Sequence, residues 1–185
     1  TKFGYIKKKQ YFCSLKEKSL LSSTKVTPMT SINDIKRPIE SAFNTFDKAF
    51  AKSLTSDSPI LNEVLGYILS KRGKQLSPML VLMAAKMCKG VTDKTISTAV
   101  ALELLHTASL IHDDVVDNSP MRRGSESIQA RWSNKVAVLV GDFILARVIQ
   151  TIAEIKNIKI LSIVSQLNFF IIFLSINYKN SFTFF

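Results

Sequence analysis

The chain is poor in the residues that stabilise small secreted folds. Its 185 residues include two cysteines, Cys13 and Cys88, and neither has a histidine or a second cysteine at zinc-site spacing. So few cysteines indicate a reducing compartment and no disulfide framework. Cys88 ends an apolar helical pattern, so we interpret it as a packing residue.

Acidic residues are also scarce, because 14 Asp and Glu are set against 25 Lys and Arg, for a net charge of +11. The excess is greatest at the ends of the chain. Residues 1–28 carry seven lysines and one glutamate, and residues 151–185 carry three lysines and one glutamate. The central residues 29–150 contain no recognisable nucleic-acid-binding module, which argues against nucleic acid as a partner.

The first 28 residues lack the continuous apolar run of a secretory signal. Their low acidity and several serines leave organelle targeting as an alternative, which the absence of arginine disfavours. Met29 is a plausible start, so we predict that residues 1–28 are a disordered extension or lie upstream of the true start. A cytoplasmic protein is expected.

The rest of the composition is that of a globular domain. With 46% hydrophobic and 21% charged residues, the chain is long enough to bury a sizeable core. Apolar residues recur at helical spacing through residues 29–150, and Gly141 is expected to permit close approach of a neighbouring helix. Capping and proline signals predict helices that begin near Ile32, Ser58-Pro59, Ser77-Pro78, Asp93 and Asn134.

Three carboxylates follow the most apolar helical run, residues 98–111. Asp113 and Asp117 are four residues apart and share one helix face, with Asp114 about a quarter turn away. The helix is predicted to end near residues 118–120, where its macrodipole favours a cation. Mg²⁺ is usually held by one or two carboxylates together with the phosphate oxygens of a substrate. The pattern therefore predicts a Mg²⁺ site.

Two arginines lie just beyond the carboxylates. Arg122 and Arg123 can bind the phosphate oxygens that a metal leaves free. The structural alternative is a solvated acidic helix end followed by a basic turn, since short acidic motifs recur by chance. The apolar run before the carboxylates argues against it, because that run is predicted to be buried nearly all round.

These residues resemble a known family. Three stretches together resemble the first aspartate-rich motif of the trans-polyprenyl diphosphate synthases. They are Leu105-His106, residues 110–117 and Met121-Arg122-Arg123-Gly124. Residues 72–78 resemble the upstream Gly-Lys motif of that family, and residues 136–146 resemble the helix that follows its arginines. The resemblance runs from about residue 29 to about residue 150. It implies an all-α helical bundle of the isoprenoid synthase type, truncated after its N-terminal part, and a long-chain member.

The resemblance implies a reaction and a set of roles. Isopentenyl diphosphate would condense with an allylic diphosphate to give a polyprenyl diphosphate, and a homodimer or heteromer is expected if the chain is complete. The catalytic residues would be Asp113, Asp114 and Asp117, of which Asp113 and Asp117 hold Mg²⁺. Arg122 would bind the allylic diphosphate, and the homoallylic diphosphate would be bound by Lys74, His106 and Arg123.

Some positions carry open alternatives. The family has an arginine where this chain has Ser77, so either Arg72 substitutes for it or homoallylic binding is weaker. The cluster around Lys74 also suits a helix C-terminus, and a lone histidine such as His106 is often a core residue. The resemblance implies that the growing hydrocarbon passes Ala108 and Ser109, whose small side chains would leave an open chain-length pocket for a longer product. The alternative is that these small residues only allow close helix packing.

Residues 151–185 differ in composition and contain no glycine or proline. Their apolar stretch, residues 160–176, is at the short limit for a membrane-spanning helix. A membrane anchor, an amphipathic last helix and translated sequence beyond a frameshift or mispredicted exon are the alternatives, and we favour the last. No second aspartate-rich motif occurs. The rival functions are a non-catalytic subunit that binds a full-length synthase, a tail-anchored membrane protein and a terpene cyclase.

Overall fold

The computed structural model describes residues 31–169 and is built almost entirely of helices, which confirms the all-α prediction. The predicted flank 1–28 and the end of the tail, residues 170–185, lie outside the described residues. The elements in chain order are α1 (Ile32–Lys36), a 3-10 turn (Arg37–Ile39), α2 (Glu40–Ser53), α3 (Pro59–Ser70), α4 (Leu76–Cys88), α5 (Asp93–Val116), β1 (Met121–Arg122), β2 (Ser125–Glu126), α6 (Ile128–Arg131), α7 (Asn134–Ile155) and α8 (Ile158–Phe169).

Local capping explains where most helices begin. Ser58 accepts a hydrogen bond from the backbone of Leu61, with Pro59 in the first turn, as the sequence predicts. Thr92 and Thr95 form a reciprocal capping box at the start of α5. The prediction that Ser77 caps α4 is wrong. The helix begins at Leu76 because Gln75, with φ +52°, turns the chain into it from the left-handed region.

The central element is α5, which packs most extensively against α7 and also contacts α2, α4 and α6. Its buried residues lie on nearly all sides, which confirms the predicted burial of the run before the carboxylates. The aromatic stripe of α2 contributes the largest fully buried side chains of the core, and neighbouring rings lie 5.4 and 5.8 Å apart. Those rings are Phe43, Phe46 and Phe50.

Gly141 of α7 lies directly against a side chain of α5. A Cβ atom on Gly141 would overlap the imidazole ring of His112, so any larger residue would have to displace that ring. The same imidazole nitrogen lies 3.4 Å from the carbonyl oxygen of Val138 and 3.4 Å from Oδ1 of Asp142. The close approach predicted at Gly141 is confirmed.

The interpretation of Cys88 as a packing residue is wrong, because its side chain is exposed. α4 faces the core through Met79 and Leu82. Cys88 lies six residues beyond Leu82, which is about 240° further round a helix with about 100° per residue. The apolar pattern of α4 therefore continues on a face that points away from the core, where Met87 is 84% exposed.

Within residues 31–169, α7 is the one helix long and apolar enough to cross a membrane by length and composition. Its buried face packs into the bundle, which core helices of soluble domains also do. The helix passes without interruption through residue 150, the predicted boundary of the central segment. Ile152 and Ile155 of α7 and Val164 of α8 are buried, so part of the predicted tail contributes to packing in this structure.

The Gly141 contact predicts the sign of the change in unfolding free energy for two glycine substitutions. Gly141→Ala forces a methyl group into the His112 ring, and such overpacking costs about 1–3 kcal/mol. Gly66 is the matched control, because it lies within α3 with nothing within 4 Å of an added Cβ. Gly66→Ala should stabilise the chain by about 0.5–1 kcal/mol through helix propensity. Urea unfolding followed by circular dichroism measures both, and equal effects would contradict the close contact.

Candidate active site

The two arginines lie on a tight β-hairpin between α5 and α6. Met121 pairs with Glu126 and Arg122 with Ser125, so only Arg123 and Gly124 form the connection. Their φ angles are +52° and +74°, which is typical of a two-residue type I′ turn. Glycine adopts this conformation readily, whereas a left-handed arginine costs about 1–2 kcal/mol. The turn therefore holds Arg123 in an unfavourable backbone conformation at the tip of the hairpin.

Arg122 joins this hairpin to the end of α5. Its Nε donates a hydrogen bond to Oδ1 of Asp114 at 2.7 Å, and Nη2 contacts the same oxygen. Asp114 is only 5% exposed. The hydrogen bond to Asp114, more than the charges of Asp113 and Asp117, raises the pKa of Arg122. A guanidinium supplied by the chain itself therefore pairs with one of the three carboxylates at this helix end.

The pairing changes what each partner offers a ligand. Arg122 covers the carboxylate of Asp114, so this carboxylate holds Arg122 in place and does not itself contact a ligand. Arg122 commits Nε and Nη2 to Asp114, while Nη1 takes no part in those bonds. A planar guanidinium can bind a second acceptor through its remaining nitrogen.

Asp113 and Asp117 are the two carboxylates placed to hold a metal. Asp117 is the exposed C-cap of α5, and its backbone N–H donates to the carbonyl oxygen of Asp113 at 2.8 Å. Asp113 is half-buried one turn earlier on the same face. No group of three or more potential metal-ligating side chains occurs within residues 31–169. Two carboxylates without a full cage suit a divalent cation that takes its other ligands from phosphate and water.

A cleft opens beside these residues, bounded by the end of α3, the middle of α5 and the hairpin. Tyr67 of α3 fixes the second strand there, because its hydroxyl donates to the carbonyl oxygen of Glu126 at 2.8 Å. Apolar side chains form part of the lining. The polar and charged groups brought together in it include Arg72, Glu103, His106, Asp114, Arg122 and Arg123.

The turn between α3 and α4 that contains Gly73 and Lys74, the Gly-Lys turn, contacts the tip of the hairpin. A Cβ on Gly73 would lie 2.2 Å from Nη1 of Arg123, so the guanidinium rests directly on the glycine backbone. Arg72 beside it is held more firmly. Its Nη1 donates to Oδ1 of Asp47 at 3.0 Å and its Nε to the carbonyl oxygen of Leu69 at 3.1 Å. Two guanidinium groups thus face the cleft from the side of α3 and the hairpin.

The environment of His106 favours its neutral form. Desolvation lowers the pKa of His106, as do the positive charges of Arg123 and then Arg122, while Asp113 opposes the shift. A neutral imidazole has one N–H donor and one acceptor nitrogen. His106 therefore faces the cleft as a hydrogen-bonding group more than as a cation.

Five predicted site residues do not line the cleft, namely Asp113 and Asp117 beside it and the three residues that follow. Lys74 is exposed on the turn before α4, next to Gly73. Ala108 is fully buried in the hydrophobic core, and Oγ of Ser109 donates to the carbonyl oxygen of His106 at 2.9 Å. The diphosphate role of Lys74 and the chain-length roles of Ala108 and Ser109 stay predictions.

Sequence reasoning missed Glu103. This residue is 7% exposed and lines the cleft, and its Oε2 is buried without a hydrogen-bond partner among the described residues. Burial raises the pKa of Glu103, while the charges of Arg123 and Arg72 oppose that rise. The available signal was a single acidic residue in the apolar run 98–111, one helical turn before His106.

Known proteins share this arrangement of helices. Octaprenyl diphosphate synthase of Haemophilus influenzae is 36% identical over 138 residues, which is 75% of this chain and 42% of that protein. Heptaprenyl diphosphate synthase component 2 of Geobacillus stearothermophilus is 38% identical over 111 residues, covering 60% and 35% of the two chains. A solved structure of a polyprenyl synthase from Caulobacter crescentus, complexed with calcium and isoprenyl diphosphate, matches with a TM-score of 0.71 and 31% identity, covering 75% and 42%.

The chain thus spans less than half the length of these relatives. The family model described as Polyprenyl synthetase matches residues 58–172. It includes the Gly-Lys turn, all of α5, the arginine hairpin and α7, and it continues past residue 150 into the segment that composition set apart. This chain belongs to the polyprenyl synthetase family.

Proposed function

We propose that this chain is a prenyltransferase that condenses isopentenyl diphosphate with an allylic diphosphate, using Mg²⁺, to give a long polyprenyl diphosphate. The observation that carries the proposal is the convergence of Arg72, Arg122, Arg123 and His106 on one cleft beside the carboxylate end of α5. Relatives named octaprenyl and heptaprenyl diphosphate synthase support a long product. The match to a structure that contains calcium and isoprenyl diphosphate supports the ligand class.

The allylic diphosphate would bind at the end of α5. Asp113 and Asp117 would hold Mg²⁺, which neutralises charge on the departing diphosphate when bound. Arg122, fixed by Asp114, would present Nη1 to the same anion. Since Asp114 is enclosed, its contribution is to orient Arg122, and the metal ligands are the two more accessible carboxylates.

The homoallylic diphosphate would bind in the part of the cleft next to the turn that contains Gly73 and Lys74. Arg123 and Arg72 supply positive charge there, and neutral His106 supplies a directed N–H donor. Apolar side chains from four helices complete the lining and limit the access of water to the reacting carbons. These side chains are Phe50, Ile68, Leu110, Ile111 and Ile128.

A second candidate function is a non-catalytic subunit that binds a full-length synthase. Several large apolar side chains of the bundle are exposed, and exposed apolar surface favours association. A relative named as component 2 of a synthase is consistent with assembly from several chains. The exposed residues are Leu80, Met87, Leu139, Ile149 and Ile158.

Substitution of Asp113 separates these functions. With labelled isopentenyl diphosphate, an allylic primer and Mg²⁺, the unsubstituted chain should form product and Asp113→Ala should not. Asp57→Ala, in the exposed loop before α3, is the matched control and should behave like the unsubstituted chain. Mg²⁺-dependent binding of the allylic diphosphate without product would favour the non-catalytic subunit. Neither binding nor product would contradict the proposed prenyltransferase.

The lowered pKa of His106 predicts which substitution retains binding of isopentenyl diphosphate. At about pH 7.5 the ring is neutral and acts as a single donor, so His106→Gln should keep the dissociation constant for isopentenyl diphosphate within about threefold. His106→Ala loses a hydrogen bond of about 0.5–1.5 kcal/mol and should weaken binding by about 2–10-fold. Equal losses in both variants would show that the imidazolium charge is what binds the ligand.

Restoring the missing family arginine should strengthen the homoallylic site. Ser77 is exposed in the first turn of α4, so Ser77→Arg is expected to fold and to add a charged donor worth about 1.5–3 kcal/mol. The dissociation constant for isopentenyl diphosphate should fall by about tenfold or more, and the gain should shrink at high salt. Ser41→Arg, exposed on α2, adds the same charge elsewhere. An equal gain there would indicate a general electrostatic effect.

A further inference from the structure

The cleft contains a buried acidic group that the proposed chemistry does not use. Glu103 is 93% buried, and its Oε2 has no hydrogen-bond partner among the described residues. An unpaired buried carboxylate is costly, yet this one lies in a cleft lined by guanidinium groups that would receive an anion. A guanidinium that approached Oε2 would remove this cost.

Arg123 is the guanidinium best placed to become that partner. Arg72 already donates to Asp47 and Leu69, and Arg122 already donates to Asp114. The side chain of Arg123 forms no hydrogen bond or ion pair within residues 31–169 and rests on Gly73. It is also the positive group that acts most strongly on Glu103. Arg123 thus has donors available, while its backbone is fixed by the hairpin turn.

We propose that Glu103 is a positioning residue for Arg123, and this inference rests on the proposed diphosphate site. When an anion enters the cleft, the guanidinium moves off Gly73 and donates to the carboxylate of Glu103 with one edge while it binds phosphate oxygens with the other. A planar guanidinium has donors on separate edges and can bridge two acceptors in this way. The carboxylate then sets the direction of the guanidinium and offsets its charge against Arg72 and Arg122.

Charge repulsion alone predicts that removal of the Glu103 charge strengthens anion binding, whereas positioning predicts that it weakens binding. A carboxylate inside an anion site repels the ligand, so its neutralisation should tighten binding. Positioning through Arg123 predicts instead that neutralisation weakens binding, because the guanidinium loses the acceptor that aims it. The sign of the change in affinity after Glu103→Gln therefore distinguishes the two.

A double-mutant cycle tests the inference on the full chain. The dissociation constant of isopentenyl diphosphate is measured for the unsubstituted chain, Glu103→Gln, Arg123→Ala and the double variant, with Glu63→Gln on the surface of α3 as the charge-matched control. Glu103→Gln should weaken binding about fivefold or more when Arg123 is present and less than about twofold in the Arg123→Ala background. Glu103→Asp, which retains the charge but shortens the side chain, should give an intermediate loss.

The outcomes separate this inference from the proposed function. If the unsubstituted chain does not bind isopentenyl diphosphate, or Arg123→Ala binds equally well, the proposed site fails and the inference fails with it. If Arg123→Ala weakens binding but Glu103→Gln leaves it unchanged or tightens it, only the role of Glu103 is wrong. Equal losses from Glu103→Gln in both backgrounds would show a purely structural effect and would also overturn it.

Discussion

The ion pair between Arg122 and the buried Asp114 is the interaction on which the arrangement of the site depends. A carboxylate at the C-terminal end of a long helix meets a negative helix dipole as well as a desolvation cost, and loss of its partner typically costs about 3–5 kcal/mol. The strand that supplies Arg122 must therefore pack against α5. This contact places the tip of the hairpin over the Gly-Lys turn and forms one wall of the cleft.

Much of the fold follows from local sequence signals. The aromatic repeat of α2, the Ser58-Pro59 cap and the limits of α5 depend on residues within a few positions of each other, and each agrees with the structure. The shared face of Asp113 and Asp117 follows from helix geometry alone. Gly141 was also predictable, since a lone glycine in an apolar helix usually marks a close approach.

The features that were not predicted depend on contacts between distant residues. Cys88 has the right chemistry for a core, but the rotation of α4 sets it on the outside. The pairing of Arg122 with Asp114 was not predicted, because the sequence does not show that Asp114 is buried beside the hairpin. Glu103 was overlooked within an apolar run, and its significance depends on arginines from two other parts of the chain.

The type I′ turn at Arg123 and Gly124 has a consequence for the entropy of binding. A long arginine side chain on a flexible loop would lose both backbone and side-chain freedom when it captures an anion. In this hairpin, backbone pairing and the anchored neighbour Arg122 have already removed the backbone part of that loss. This backbone order is established during folding, at the cost of the strained φ of Arg123. When an anion then binds, only the side-chain rotamers of Arg123 remain to be restricted.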